Sequence, residues 1–376
     1  MKQFLIIFCI LCSLWTHAIA TSMNITDELD MYYKQRAQSI VDSLDTKRLI
    51  AQTIIVSVRG EVTAAEHVKR LLTNIPVGGV ILYSHNFVSD IEKNRAFVSQ
   101  LVDIISNVTL PPFVVIDHEG GSVQRVRGSA RIPAPLSYYE RYKSEEIDFD
   151  EIIALVESDA ARSAEVLRYI GVTLNIAPIV EILTDVNQPF LKTRSYGPDH
   201  IFTTNAAVAF IKGMHSAGIA ATIKHFPGNS ATDPHYYQVV LDKSLDEMDL
   251  LIQPFRDVIH AANPAAVMTS TVIVPSWDSI SLSRSPVPVR YLREMGFEGI
   301  IMSDCFQMAS TGESPDRAAS QAINAGVDMV LSWPETILRI YNALEKGVEN
   351  GEIPHEIVRA AVERIVYQKL RFGLIE

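Results

Sequence analysis

Ile219-Ala220-Ala221-Thr222-Ile223-Lys224-His225-Phe226-Pro227-Gly228 is a short apolar run that ends in a Lys-His pair and then a turn. Small and β-branched residues without polar alternation have the composition of a strand buried on both faces. A Lys and a His at the end of such a strand are groups that a parallel barrel presents at its mouth. The same grammar recurs along the chain. Apolar runs lie at Thr53–Val58, Gly79–Tyr83, Phe113–Ile116, Thr173–Val180, Ala220–Ile223, Ala266–Thr269, Gly299–Met302 and Val327–Leu331.

Helix-like stretches separate the runs. From Glu151 to Ile170, residues Ile152, Leu155, Val156, Ala160, Ala164 and Leu167 fall on one broad face. A second such helix is predicted over Asp246 to Ala262, and Ser244 with Glu247 makes a capping box before it. Helical spacing also marks Asp27 to Leu49, Glu335 to Gly347 and Pro354 to Lys369. No linker or low-complexity tract divides the chain, so residues 21–376 are expected to form one domain. Strands alternating with helices fit a (β/α)8 TIM barrel or a doubly wound open sheet. The polar residues at the run ends favour the barrel: Asp117-His118-Glu119, Asn175 with Glu181, Lys224-His225, Thr269-Ser270 and Ser303-Asp304. Functional side chains contributed by many strand ends are the habit of a barrel's C-terminal face.

The chain has 376 residues, 48% of them hydrophobic, and a formal net charge of −11. An acidic chain without a basic cluster argues against nucleic acid and anionic membranes as partners. Residues 1–20 read as an export signal: Lys2, an apolar core from Phe4 to Trp15, and Ala18-Ile19-Ala20 as the cleavage site. The core is too short for a comfortable membrane span, so none is expected after cleavage. An uncleaved anchor is the alternative; lipidation at Cys12 is disfavoured because Ile10-Leu11 precede it. Localisation outside the cytoplasm, periplasmic or extracellular, is therefore expected. Cys9 and Cys12 lie in that segment, which leaves Cys305 alone in the mature chain and no internal disulfide. The sequons at Asn24 and Asn107 carry weight only in a glycosylating host.

Asp304 ends the run Gly299-Ile300-Ile301-Met302-Ser303. A carboxylate there has lost most of its hydration, and stays charged only with partners or for a function. It can cap a turn, or attack an anomeric carbon and hold a sugar as an ester. Asp233 and His235 stand two residues apart on a polar loop. Such an Asp fixes the tautomer of the imidazole and favours its charged form, which suits proton transfer to a leaving oxygen. Asp-x-His also occurs in structural and metal sites, but no further ligand spacing accompanies it, so no metal is expected. In Asp117-His118-Glu119-Gly120-Gly121-Ser122-Val123-Gln124-Arg125 the paired glycines permit a tight turn, and Asp117 and Arg125 can either grip hydroxyls or brace the loop as an ion pair. Arg194 is open to the same two readings. Cys305 reads as a small buried residue.

Taken together, the motifs resemble glycoside hydrolase family 3, in its single-barrel β-N-acetylglucosaminidase branch, over residues 45 to 335. The carriers are Asp117-x-Glu-Gly-Gly-x-Val-Gln-Arg125, Asn175-Ile-Ala-Pro-Ile-Val180, Arg194-Ser195, Lys224-His-Phe-Pro-Gly228, Asp233-x-His235 and Gly299-Ile-Ile-Met-Ser-Asp304, in the family's order. The resemblance implies a retaining double displacement, with Asp304 as nucleophile and His235, assisted by Asp233, as acid/base. It implies that Asp117, Arg125, Arg194, Lys224 and His225 hold a terminal N-acetylglucosamine of an oligosaccharide or glycoconjugate, and that no cofactor takes part. Larger β-glucosidases of the family carry a second domain, for which this chain has little room. Three departures stand out. Asn229-Ser230 replaces the family's His-Gly in a loop about two residues shorter, Pro234 takes the place of Ser or Thr, and Cys305 replaces a common second Asp. The altered loop keeps open a non-catalytic sugar-binding barrel, and the shared nucleophile keeps open a β-glucosidase or a phosphorylase.

Overall fold

A computed structural model describes residues 28–126 and 128–376, so the expected export signal at 1–20 lies outside the described residues. Eight short strands form within them: β1 Ile54–Ser57, β2 Gly79–Leu82, β3 Phe113–Ile116, β4 Leu174–Asn175, β5 Ala220–Phe226, β6 Ala266–Thr269, β7 Ile300–Cys305 and β8 Met329–Ser332. Each pairs in parallel with the next, and β8 pairs with β1 through Ile54, Ile55 and Val56, closing the barrel. The open-sheet alternative is thereby excluded.

Closure explains why the strands read as continuous apolar runs. Ile55, Ile81, Phe113, Val115, Met302 and Met329 point into the barrel and pack on one another. Their neighbours Ile54, Val56, Val80, Val114, Ile116 and Ile301 point outward under the helices. Period-two alternation therefore persists, but both faces are dry, so no polar residue marks it.

Helices cover the outside. Phe149–Ile170 starts on the Asp148 side chain and ends at Gly171, which adopts a left-handed φ of 103°. Leu245–Ala262 begins with the expected capping box, both of whose hydrogen bonds are made by Ser244 and Glu247. The last helix, His355–Arg371, is tied to the barrel through Arg364, whose guanidinium meets the buried Asp328 at 2.7 Å.

Two strands differ from expectation. The run from Thr173 to Val180 yields only Leu174–Asn175 as strand. Pro178 has no N–H to donate, so the ladder stops and resumes only as a single bridge between Ile179 and Lys224. Conversely, β5 and β7 outrun their apolar stretches and take in Lys224, His225 and Asp304. Those polar residues fall where the strand registers shift, between Ile223 and Phe226 and between Met302 and Cys305.

The N-terminal end of the barrel is plugged by the last helix. Lys369 is completely buried, donates to Gln52 Oε1 at 2.6 Å, and lies 5.5 Å from the centre of the Phe113 ring. Desolvation pulls its ammonium down to about 7. The unfolded chain then binds more protons than the folded one from about pH 7 up to the ordinary lysine value, so this residue makes stability rise with pH across that window. Lys369→Met should remove that rise and stabilise the protein at neutral pH by a few kcal/mol, roughly. Denaturant unfolding of both proteins at pH 7 and pH 10 measures the difference.

Candidate active site

At the C-terminal mouth of the barrel a pocket of about 370 Å³ opens. Asp117, Arg125, Arg194, Lys224, His225, His235 and Asp304 all line it, although they come from β5, β7 and the loops after β3, β4 and β5. Asp233 stands behind His235 rather than in the lining.

The deepest part is a lattice of alternating charge. Lys224 is buried, and its ammonium lies 2.9 Å from Asp117 Oδ1 and 2.6 Å from Glu119 Oε1. Arg194 forks onto the same Glu119, donating from Nε at 2.9 Å and Nη2 at 2.8 Å. Burial alone would raise the Glu119 carboxyl, but Lys224 and Arg194 outweigh it and hold the group far below the usual range. Arg125 Nη2 lies 3.7 Å from Asp117 Oδ2, looser than the Lys224 contact, and keeps part of its surface in the pocket. The Asp117–Arg125 pair thus braces the loop and lines the pocket together.

The loop that carries this lattice turns on Gly120 and Gly121, with φ of 102° and 55°. A Cβ on Gly120 would come within 2.6 Å of the Pro133 carbonyl, so only glycine fits. Asn175 fastens the strand end below. Its Oδ1 accepts from His118 N and its Nδ2 donates to His118 O, both at 2.9 Å. His118 itself faces Ser163 Oγ at 3.2 Å; burial lowers it to about 4, and it is a structural residue.

Glu181 organises the other side. Its carboxylate faces His225 Nδ1 at 2.7 Å and accepts from His225 N at 3.2 Å. It also accepts from Asn229 N at 2.7 Å and Asn229 Nδ2 at 2.8 Å. Asn229 therefore has a physical role, since its amide side chain pins the start of the loop after β5 to the carboxylate that orients His225.

That loop does reach the pocket. His235 Nδ1 lies 2.7 Å from Asp233 Oδ1, and His235 N donates to the same oxygen at 2.9 Å. Burial pushes the Asp233 carboxyl up, but the two His235 hydrogen bonds outweigh this and leave it below the ordinary carboxylate value. Ala309 N donates to His235 O and Ser310 N to Pro234 O, at 3.3 and 3.2 Å, so the loop rests on the segment that follows Asp304. Asp304 accepts from Cys305 N at 2.7 Å, and among the described residues no cation pairs with it. Its carboxylate is left available to the cavity.

The remaining wall is aromatic and soft. Trp333 and Tyr83 stack at 6.0 Å with 18° between their planes, beside Cys305 and Met308. Burial raises the Cys305 thiol to about 12, so it stays protonated. Sequence reasoning placed Glu119 and Glu181 among the polar residues at the strand ends but gave them no role, and it missed Tyr83 and Trp333 as site residues. Glu119 was within a quoted motif, and Tyr83 and Trp333 directly follow β2 and β8, which was the available signal.

Comparison with known proteins places this geometry. Residues 44–367 match the family model for the glycosyl hydrolase family 3 N terminal domain. The β-hexosaminidase of Tolumonas auensis is 33% identical over 289 residues, covering 74% of this chain and 82% of the relative. That of Haemophilus influenzae is 29% identical over 323 residues, covering 82% and 87%. Among solved structures, a family 3 β-N-acetylglucosaminidase from a Paenibacillus species superposes with a TM-score of 0.81 at 27% identity, over 88% of this chain and 63% of that one. A β-N-acetylhexosaminidase from Beutenbergia cavernae superposes with a TM-score of 0.76 at 25% identity, over 88% and 99%. By the extent of these matches the chain belongs to glycoside hydrolase family 3 and is a glycosyl hydrolase.

Proposed function

We propose that the protein removes terminal, non-reducing, β-linked N-acetylglucosamine from oligosaccharides or glycoconjugates with retention of configuration. The observation that carries this is the meeting of Asp304 and the Asp233–His235 pair at one pocket whose floor is a charged lattice. The kinship with β-hexosaminidases supplies the sugar. Asp117, Arg125, Arg194, Lys224 and His225 hold the terminal sugar by charge-assisted hydrogen bonds.

The chemistry proceeds in two displacements. The Asp304 carboxylate attacks the anomeric carbon as the glycosidic C–O bond breaks. His235, held at Nδ1 by Asp233, gives the proton on its other nitrogen to the departing oxygen. Water then attacks the glycosyl ester, His235 takes its proton, and Asp304 is released. Two tasks suit two environments: among the described residues no cation pairs with Asp304 to blunt its nucleophilicity, whereas His235 is held at Nδ1 by the Asp233 carboxylate. Export before action follows from the N-terminal sequence pattern and forms part of the proposal.

Wild-type protein is expected to release phenol faster from an aryl β-N-acetylglucosaminide than from the matching glucoside; folded protein without release from the first substrate overturns the reading. Asp304→Ala should lower kcat by about 10⁴-fold or more. His235→Ala should cost about 10²-fold with a poor leaving group and far less with dinitrophenolate, which needs little proton assistance. Glu181→Gln places an NH₂ group among donors; it should destabilise the fold by about 1–3 kcal/mol and raise KM through a misplaced His225. Thermal melting together with steady-state kinetics reads both effects.

A further inference from the structure

The pocket is divided in character. Its floor, Asp117, Arg125, Arg194 and Lys224, is charged and little exposed, as suits the hydroxyl rim of one sugar. Its mouth differs. The His235 side chain is 61% exposed and Trp333 38% exposed, one from the loop after β5 and the other from the end of β8. A ring bound between them is the ring outside the floor, the one that departs. One face of Trp333 is covered by Tyr83, which is itself capped by Arg125 at 5.8 Å.

The indole is also fixed in rotation. Trp333 Nε1 donates to Cys305 Sγ at 2.8 Å, the Cys305 thiol donates to Gln307 Oε1 at 2.8 Å, and Gln307 Nε2 donates to Thr336 Oγ1. Only a protonated thiol can accept from one neighbour while donating to the next. A carboxylate at this position would set a second negative charge beside Asp304. The cysteine thus does what the family's common Asp cannot do here: it holds an aromatic plate at the rim without adding charge next to the proposed nucleophile.

Resting on the proposed glycosidase reading, we infer that Trp333 forms a leaving-group subsite for a pyranose ring, with Cys305 as the residue that positions it. The axial C–H face of a pyranose is apolar and packs on an indole while the equatorial hydroxyls stay in water. The protein would then prefer substrates in which the terminal N-acetylglucosamine is attached to another sugar.

The test compares two substrates with the same terminal sugar: N,N′-diacetylchitobiose, whose leaving group is a ring, and N-acetylglucosaminyl fluoride, whose leaving group is a single atom. In Trp333→Ala the ratio of kcat/KM for disaccharide over fluoride should fall by about tenfold relative to wild type. Trp333→Phe should fall less. Cys305→Ala should reproduce part of the loss and shift the Trp333 fluorescence, and Cys305→Ser, which keeps a donor and an acceptor, should restore the ratio. A ratio unchanged in well-folded Trp333→Ala and Trp333→Phe overturns the inference, as does an equal fall on both substrates, which would place Trp333 against the terminal sugar. Failure of the wild-type protein to cleave either substrate instead overturns the glycosidase reading. In that event quenching of tryptophan fluorescence by chitobiose, absent with the monosaccharide and lost in Trp333→Phe, still decides whether the subsite exists.

Discussion

A buried ammonium is the constraint around which this barrel mouth is organised. Lys224 lies almost without solvent contact inside a strand, where an unpaired charge would be untenable. It persists because Asp117 and Glu119 reach it from the loop that follows β3, two strands away around the barrel. Glu119 in turn must be neutralised further, which Arg194 does. Removing one member of such a set leaves another buried charge uncompensated, at a cost of about 3–5 kcal/mol. The lattice is thus structural glue and sugar-facing surface at once, and it dictates where the loops after β3 and β4 must lie.

The rest of the pocket follows from what that lattice leaves undone. Charge can recognise hydroxyls but cannot recognise the apolar face of a ring, and the aromatic wall of Tyr83 and Trp333 supplies the missing half. Asp304 stands where these two regions meet. Its immediate neighbour is a neutral thiol rather than a second carboxylate.

Much of this was legible in the sequence, and the reasons differ by residue. The barrel could be inferred because parallel strands buried on both sides write themselves as uninterrupted apolar runs, and because Lys224, Asp117 and Asp304 interrupt them only at one end. The extent of β4 was overread: the run is apolar on both sides of Pro178, but that residue has no N–H to give the ladder and ends the strand early. The roles of Glu119 and Glu181 were not legible because their partners, Arg194, Lys224, His225 and Asn229, are distant in sequence and become adjacent only on closure. Trp333 escaped because a single tryptophan after a strand is more often packing than surface. The contact from Asn229 to Glu181 is likewise invisible in sequence, because 48 residues separate the two.

The pair of backbone hydrogen bonds from Ala309 and Ser310 to His235 and Pro234 has an implication for how this family member can change over time. They join the segment after Asp304 to the segment carrying His235 as if the two were a single moulded piece. Neither segment can gain or lose a residue alone without pulling the other out of place. Lineages that trim the loop after β5 should therefore show matching adjustments after β7, and the two lengths should be inherited together rather than drift independently.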